Sequence, residues 1–95
     1  MNIGLSAEHT THIIVTLKSH GVRSAVVYGS RAKGNWRVNS DIDIAVFGDV
    51  IIPGLLSCLE ELPMPYKFDV VGYETITNQP LREHIDRDGI ELFSL

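Results

Sequence analysis

Two aspartates stand inside an apolar, strand-like segment of this chain, DIDIAVF at 41–47. Apolar residues recur there at every second position, which is the period of a β-strand with one buried face. Residues i and i+2 of a strand project from the same face, so Asp41 and Asp43 lie side by side while Ile42 and Ile44 face the core. Two adjacent carboxylates repel each other and are costly to bury unless a cation lies between them. The segment therefore predicts a core strand that carries a cation-binding site.

Strand-like and helical patterns alternate along the chain. The predicted strands are 23–29, 41–47, 66–73 and 90–95. The predicted helices are 6–21, 30–34, 53–62 and 78–89. We expect Ser6, Ser30 and Asn78 to begin three of these helices as N-caps, and Gly21 to end the first. The alternation predicts one α/β (α+β) domain over residues 1–95, in which helices flank a mixed sheet of three to four strands.

Composition narrows the class of protein. Hydrophobic residues make up 44% of the 95 residues and charged residues 21%, which excludes a disordered tail or a fibrous repeat. No apolar run reaches the ~18 residues needed to span a membrane, and the N-terminus lacks the features of a signal peptide. Cys58 is the only cysteine, so an internal disulfide or a cysteine-based zinc site is excluded. We therefore expect a cytoplasmic protein that does not associate with a membrane.

The net charge bears on the class of ligand. It is −4 at neutral pH, which disfavours direct binding to nucleic acid, because such binding depends on Lys and Arg neutralising phosphates. A single nucleotide remains compatible with this charge, since a bound divalent cation can supply the missing positive charge.

Mg²⁺ is the cation that suits the two aspartates. It prefers oxygen ligands and usually takes one or two protein carboxylates together with substrate phosphates. Asp69 lies inside another predicted strand and could add a third carboxylate to Asp41 and Asp43. Three such groups could hold two metal ions about 3.5–4 Å apart, the arrangement used in phosphoryl transfer. The four histidines show no comparable metal-ligand grouping.

A phosphate-binding element precedes this site. Gly29 permits close approach of a ligand to the backbone, and Ser30 opens a helix whose first N–H groups are unpaired. Arg31 and Lys33 in that first turn could contact a triphosphate, and we include Ser40, directly before the first aspartate, among the predicted nucleotide-binding residues. A phosphate site and a metal site in one short segment predict nucleotidyl transfer from a nucleoside triphosphate.

Each of these residues also has an ordinary structural interpretation. The paired aspartates could be solvated caps, and Ser30 could be only a helix N-cap. Asp69 could pair with a basic neighbour. Arg31 and Lys33 could be solvated helix charges, and Trp36 could either stack on a base or cover the core.

The motif Gly-Ser, ten residues, Asp-x-Asp resembles the signature of the polymerase-β-type nucleotidyltransferase superfamily. The longer string YGSRAKGNWRVNSDIDIAV (28–46) is similar to its minimal nucleotidyltransferase (MNT) branch, the antitoxin half of HEPN/MNT toxin–antitoxin pairs. The similarity extends to YKFDVV (66–71) and LREHIDRDGIELF (81–93), and covers most of the chain from about Val22 onward.

The resemblance implies a substrate and a partner. It places the third metal ligand at Asp69, with Asp41 and Asp43 as the other two. It implies ATP as substrate, Mg²⁺ as cofactor, and AMP transfer to a tyrosine of a HEPN ribonuclease toxin encoded by a neighbouring gene. It leaves open a hetero-oligomer with that toxin. The alternative is an antitoxin with weak or no catalysis that neutralises the toxin by binding. Nucleotide transfer to a small molecule such as an antibiotic is disfavoured, because 95 residues leave little room for a second substrate pocket.

Overall fold

The computed structural model describes residues 3–95. The predicted domain and the expected lack of a signal peptide also involve Met1 and Asn2, which lie outside the described residues. The helices are α1 (Ala7–Ser19), α2 (Ser30–Lys33), α3 (Ile52–Glu60) and α4 (Gln79–Asp88), and Tyr73–Thr75 form one turn of 3₁₀ helix. The strands are β1 (Ser24–Tyr28), β2 (Ile42–Phe47), β3 (Phe68–Gly72) and β4 (Ile90–Ser94).

The four strands form one mixed sheet in the order β3-β2-β1-β4. Strand β1 pairs antiparallel with both β2 and β4, whereas β2 and β3 run parallel. The parallel pair is connected by α3, as a crossover between parallel strands requires. The predicted mixed sheet flanked by helices is therefore confirmed. The sheet brings the start of β2, the start of β3 and the end of β1 to the same edge.

One face of the sheet carries the main hydrophobic core. Helices α1 and α3 cover it, and the side chains between them and the sheet are almost completely buried. This core contains the buried residues Ile3, Ile13, Leu17, Val22, Ala25, Val27, Ile42, Ile44, Val46, Leu55, Leu59, Phe68, Val70 and Leu92. The alternation of β2 was therefore interpreted correctly, since its isoleucines and Val46 face this core.

The opposite face carries a smaller apolar cluster beneath α4. Its buried members are Tyr28, Ala45 and Ile85. Partly buried residues packed around them are Val26, Val71, Tyr73, Ile76 and Leu81. Helix α4 therefore covers β1 and the middle of β2 on this face, whereas Asp69 at the start of β3 is exposed.

The ends of several elements test the predicted caps. The Ser6 hydroxyl accepts a hydrogen bond from His9 N at 3.0 Å, and the Asn78 side chain accepts one from Leu81 N at 3.1 Å, so both predicted N-caps are confirmed. The N-cap of α2 is Gly29 rather than Ser30, which is the first helical residue. The first helix ends at a C-cap one residue before the predicted Gly21, because that glycine has already left the helix with φ +82°.

Within the described part of the chain, no helix combines the length and apolar character needed to cross a membrane.

Candidate active site

Three polar side chains share one position across the sheet, at the edge where β2 and β3 begin. Tyr28 on β1 pairs with Asp43 on β2, and Asp43 pairs in turn with Asp69 on the parallel strand β3. Directly paired residues project from the same face of a sheet. This is the face of the smaller cluster under α4. We call Asp43 and Asp69 the carboxylate pair.

The two carboxylates of the pair differ in exposure. Asp43 is half-buried, whereas Asp69 is exposed. Burial raises the pKa of Asp43 above its ordinary value, and the negative charges of Asp69 and Asp41 raise it further, while His84 opposes the shift. The ionised form of Asp43 is therefore disfavoured in the protein alone. A bound cation would remove this penalty, because it reverses the sign of the charge next to the carboxylate.

Tyr28 lies beside the same carboxylates at the end of β1. Only 7% of its surface is exposed. Burial, followed by the charges of Asp69 and Asp43, raises the pKa of its phenol to about 12. The phenol therefore stays neutral at physiological pH, and Tyr28 is an uncharged aromatic neighbour of the carboxylate pair.

Asp41 lies outside the strand to which the sequence assigned it. Strand β2 begins at Ile42, whose N–H donates to Lys67 O at 2.9 Å, and Asp41 precedes it as an exposed residue. Its charge still raises the pKa of Asp43, so the two carboxylates are near neighbours.

The three aspartates do not form a ready-made metal cage. Within residues 3–95, no three His, Cys, Asp or Glu side chains are gathered so that they could hold a metal ion. The predicted three-carboxylate site is therefore not preassembled, and two of its members, Asp41 and Asp69, are exposed. An all-oxygen donor set with one half-buried carboxylate nevertheless fits a hard divalent cation that completes its shell with phosphates and water.

Gly29 brings the backbone against this site. It has φ +75°, and a Cβ built on it would collide with Oδ2 of Asp43. Glycine is therefore required here both by the backbone conformation and by the space that the carboxylate occupies. Ser30 follows as the first residue of α2, and its backbone N–H is among those that a helix leaves without an internal partner. The predicted phosphate-binding segment thus lies next to Asp43.

Arg31 occupies a different position from the one that the sequence predicted. Its side chain has no exposed surface, and its guanidinium donates to backbone carbonyls, including Ser40 O at 2.9 Å from Nη2 and Ile3 O at 3.0 Å from Nη1. A guanidinium committed in this way is not available to a phosphate. The prediction of Arg31 as a nucleotide contact is therefore wrong for this structure, and the solvated-charge interpretation is wrong as well.

Lys33 and Ser40 remain predicted nucleotide contacts. Lys33 is exposed. The pKa of Asp88 on α4 is lowered chiefly by a hydrogen bond from Arg87, and also by the positive charge of Lys33. Ser40 is half-buried, and its hydroxyl accepts a hydrogen bond from Arg37 N at 2.7 Å.

His84 faces the site from α4, and the sequence gave no reason to select it. Its ring lies edge-on to Tyr28 with centroids 6.3 Å apart, and its Nδ1 is 3.2 Å from Asp88 Oδ2. Its charge acts on Asp43 across the gap between helix and sheet. The signal available was its place three residues after Leu81, an apolar residue of the same cluster, because residues three apart share a face of a helix.

A surface pocket of about 390 Å³ lies away from these groups. It is lined by Arg23, Ser24, Phe47, Glu74, Ser94 and Leu95. Ser24 pairs with Phe47 at the far end of the two strands that carry Tyr28 and Asp43. None of the predicted site residues lines this pocket, so it is separate from the candidate active site.

One known family matches most of the chain. The sequence profile of the family described as "Polymerase beta, Nucleotidyltransferase" matches residues 11–95. The chain belongs to this family. Membership of the polymerase β nucleotidyltransferase family supports nucleotidyl transfer as the type of reaction, and the matched residues include the whole site.

Solved structures place this polymerase β family member among small nucleotidyltransferase folds. One, described provisionally as a minimal nucleotidyltransferase, has a TM-score of 0.71 and 26% identity, and the match covers 95% of each chain. A chain from a toxin–antitoxin structure with AMP-PNP has a TM-score of 0.69 and 24% identity, over 90% of this chain and 73% of that one. A chain from the toxin–antitoxin MntA-HepT has a TM-score of 0.65 and 21% identity, over 95% and 74%. A search of curated protein sequences finds no match.

Proposed function

We propose that this chain is a Mg²⁺-dependent nucleotidyltransferase that transfers AMP from ATP to a tyrosine of a HEPN ribonuclease toxin and thereby acts as its antitoxin. The observation that carries the proposal is the carboxylate pair lying next to Gly29. This arrangement places two carboxylates, which would bind a cation, next to a glycine that would let phosphates approach the backbone. Family membership supports the type of reaction, and the toxin–antitoxin neighbours support the class of partner.

The carboxylates would hold the metal. Asp43 and Asp69 would be its main protein ligands, and the exposed Asp41 would join them once phosphate oxygens complete the site. When bound, Mg²⁺ neutralises charge on the phosphates and on the departing group. Its charge also offsets the repulsion among the three aspartates.

Gly29 and Ser30 would bind the phosphates through the backbone. Gly29 leaves no side chain between the backbone and Asp43, and the free N–H groups at the start of α2 can donate to phosphate oxygens. The exposed Lys33 on the same helix would add a charge-assisted contact. These contacts would hold the triphosphate in line with the acceptor.

Asp69 would receive the acceptor's proton. In the reaction, the tyrosine oxygen forms a bond to the α-phosphorus of ATP while the bond between the α-phosphorus and the bridging oxygen breaks. Pyrophosphate leaves with that electron pair. The phenolic proton passes to Asp69, the exposed carboxylate of the pair and the one open to a docked partner.

The partner would complete the acceptor side of the site. Helix α4 covers β1 and the middle of β2 on this face, whereas Asp69 is exposed, so the edge where β2 and β3 begin would be open to another protein. A similar fold occurs in the toxin–antitoxin structure with AMP-PNP, and AMP-PNP is an analogue of ATP. We infer that ATP and the toxin meet at this edge.

The test is the intact mass of the toxin encoded by the neighbouring gene, measured after incubation with this protein, ATP and Mg²⁺. We expect the toxin to gain one or more adenylyl groups, and peptide sequencing to place them on tyrosine. Asp43→Asn and Asp69→Asn should abolish the gain. Asp49→Asn, the same change at an exposed position beyond the other end of β2, should leave it intact.

Two results would contradict the proposal in different ways. A stable complex without a mass gain would favour the binding antitoxin, in which neutralisation needs only contact. A mass gain that persists in Asp43→Asn would place the chemistry at other residues.

A further inference from the structure

Arg31 is the one charged residue that lies among the fully buried side chains in residues 3–95. Its Nη1 donates to Ile3 O at 3.0 Å and to Gly4 O at 3.3 Å. Its Nη2 donates to Ser40 O at 2.9 Å and to Val38 O at 3.4 Å, and its Nε donates to Ser40 O at 3.2 Å. The guanidinium thus connects the segment before α1 with the loop before β2.

Aromatic rings and the backbone enclose this guanidinium. It lies over the ring of Tyr66, 5.0 Å from the centroid, and over that of Trp36 at 5.8 Å. A Cβ built on Gly4 would lie 2.7 Å from Trp36 ring atoms and 2.8 Å from Nη1 of Arg31. Trp36 therefore packs over Arg31. The enclosure leaves the guanidinium little freedom to move.

The contacts of Arg31 span the two halves of the candidate active site. Arg31 itself follows Gly29 and Ser30 directly, and Ser40 O, which accepts two of its hydrogen bonds, belongs to the residue directly before Asp41. One side chain therefore joins both ends of the ten-residue segment between the phosphate-binding residues and the first aspartate. A planar guanidinium with five donors can bind several carbonyls at once, which a lysine ammonium cannot do in the same geometry.

We propose that Arg31 is a positioning residue that sets the placement of Asp41, and with it the entry of β2, relative to Gly29 and Ser30. The inference rests on the proposed function, because it assigns Arg31 a role in arranging that metal and nucleotide site. Arg31 does not touch the nucleotide. It acts through the Ser40 carbonyl and the backbone of Asp41.

The test titrates the preformed Mn²⁺·ATP complex into the unaltered protein and into Arg31→Lys, and compares the two affinities by calorimetry. Circular dichroism and thermal unfolding establish that the variant is folded at the temperature used. We expect the affinity for Mn²⁺·ATP to fall about 10- to 100-fold, the usual cost of losing a group that orients metal ligands. Arg23→Lys is the matched control, since Arg23 is exposed at the other end of β1 and should leave the affinity unchanged.

A purely structural role for Arg31 gives a different result. Arg31→Lys would then unfold at lower temperature while its folded form bound Mn²⁺·ATP as tightly as the unaltered protein, which would overturn the inference and leave the proposed function standing. Absence of Mn²⁺·ATP binding by the unaltered protein would overturn the proposed function and this inference together.

A second variant covers the case in which Arg31→Lys does not fold. Gly4→Ala keeps the arginine but places a methyl group against Nη1 and Trp36. We expect it to weaken Mn²⁺·ATP binding in the same direction. Unchanged affinity in folded Gly4→Ala would count against the positioning role.

Discussion

Asp43 and Asp69 occupy directly paired positions on two parallel strands, yet one is half-buried and the other exposed. The pairing places both carboxylates on one face of the sheet, and the difference in exposure gives them different electrostatic environments. Asp43 carries the charge that is unfavourable without a cation, as its raised pKa indicates. Asp69 is the one that is open to solvent.

Replacing Asp43 by asparagine is expected to stabilise the metal-free protein. A raised pKa means that the folded state binds the proton of Asp43 more tightly than the unfolded state does. Protonation of Asp43 therefore stabilises the fold below the ordinary carboxyl pKa, and this stabilisation is lost as the pH rises through the pKa of the folded state. At neutral pH the unaltered protein therefore carries the cost of burying the charge and, in addition, the repulsion from Asp69 and Asp41. Asp43→Asn should raise the free energy of unfolding by about 1 kcal/mol. Urea denaturation measures it.

The matched control for that change is Asp49→Asn, which removes an exposed charge after the same strand. It should alter the free energy of unfolding by less than about 0.5 kcal/mol. The increase in the free energy of unfolding caused by Asp43→Asn should also disappear in acid, where Asp43 is protonated. An equal effect of both substitutions at neutral pH would contradict the prediction.

Mg²⁺ and ATP together are expected to stabilise the unaltered protein but not Asp43→Asn. A ligand that binds only the folded state adds about 2.7 kcal/mol when its concentration is 100 times the dissociation constant. Thermal unfolding with and without Mg²⁺·ATP measures the difference, and Asp49→Asn should retain it. An equal shift in Asp43→Asn would mean that the carboxylate pair is not where the metal binds.

Gly29→Ala should cost more than Gly34→Ala. Both glycines have positive φ, but only Gly34 is in the left-handed helical region, where alanine costs about 1–2 kcal/mol. Gly29 has φ +75° and ψ −151°, a combination that is essentially restricted to glycine. Only at Gly29 would the new methyl group also meet a side chain, that of Asp43, whereas the space beside Gly34 is open. We expect Gly29→Ala to lose Mg²⁺·ATP binding and at least about 1 kcal/mol more stability.

Urea denaturation and calorimetry on the two glycine variants give both quantities. Equal losses would contradict the prediction, because both the backbone conformation of Gly29 and its contact with Asp43 should add to its cost.

Tyr28 should make the protein sensitive to alkaline pH. Burial next to two carboxylates raises the pKa of its phenol from 10.0 to about 12. The folded state holds this proton while the unfolded state loses it, so the free energy of unfolding should fall between about pH 10 and 12, by about 3 kcal/mol in total. Denaturant titrations across this range measure the decline.

Tyr28→Phe should flatten that decline, because phenylalanine keeps the ring in the cluster with Ala45 and Ile85 but has no proton to lose. Tyr66→Phe serves as the control at a half-buried tyrosine elsewhere. A decline of the same depth in Tyr28→Phe would mean that another group controls alkaline stability.

Local sequence patterns were sufficient for much of the fold. The alternation in β2, the apolar β3 and the capping residues Ser6 and Asn78 depend on neighbours within a few positions, and all of them appear as expected. The shared position of Tyr28, Asp43 and Asp69 could not be predicted in the same way. It depends on which strands are neighbours and on their register, and tertiary pairing sets both.

Arg31 shows why part of the site was misjudged. A basic residue directly after Gly-Ser suggests a phosphate ligand, because charge is rarely buried. Its actual partners include carbonyls of Ile3 and Gly4, which are distant in sequence and become neighbours only when the N-terminal segment packs against the loop. His84 was missed for a similar reason, since its nearness to Asp43 arises from how α4 lies on the sheet.

The two faces of the sheet differ in how strongly substitutions would disturb the packed core. The face under α1 and α3 holds most of the buried apolar residues, so substitutions there are constrained by packing. The face under α4 has a much smaller buried cluster, with the carboxylate pair at its rim. Under the proposed function, substitutions on the outer surface of α4 would therefore change which protein docks, at little risk to the core. Such a division would let an antitoxin change alongside its toxin while conserving its chemistry.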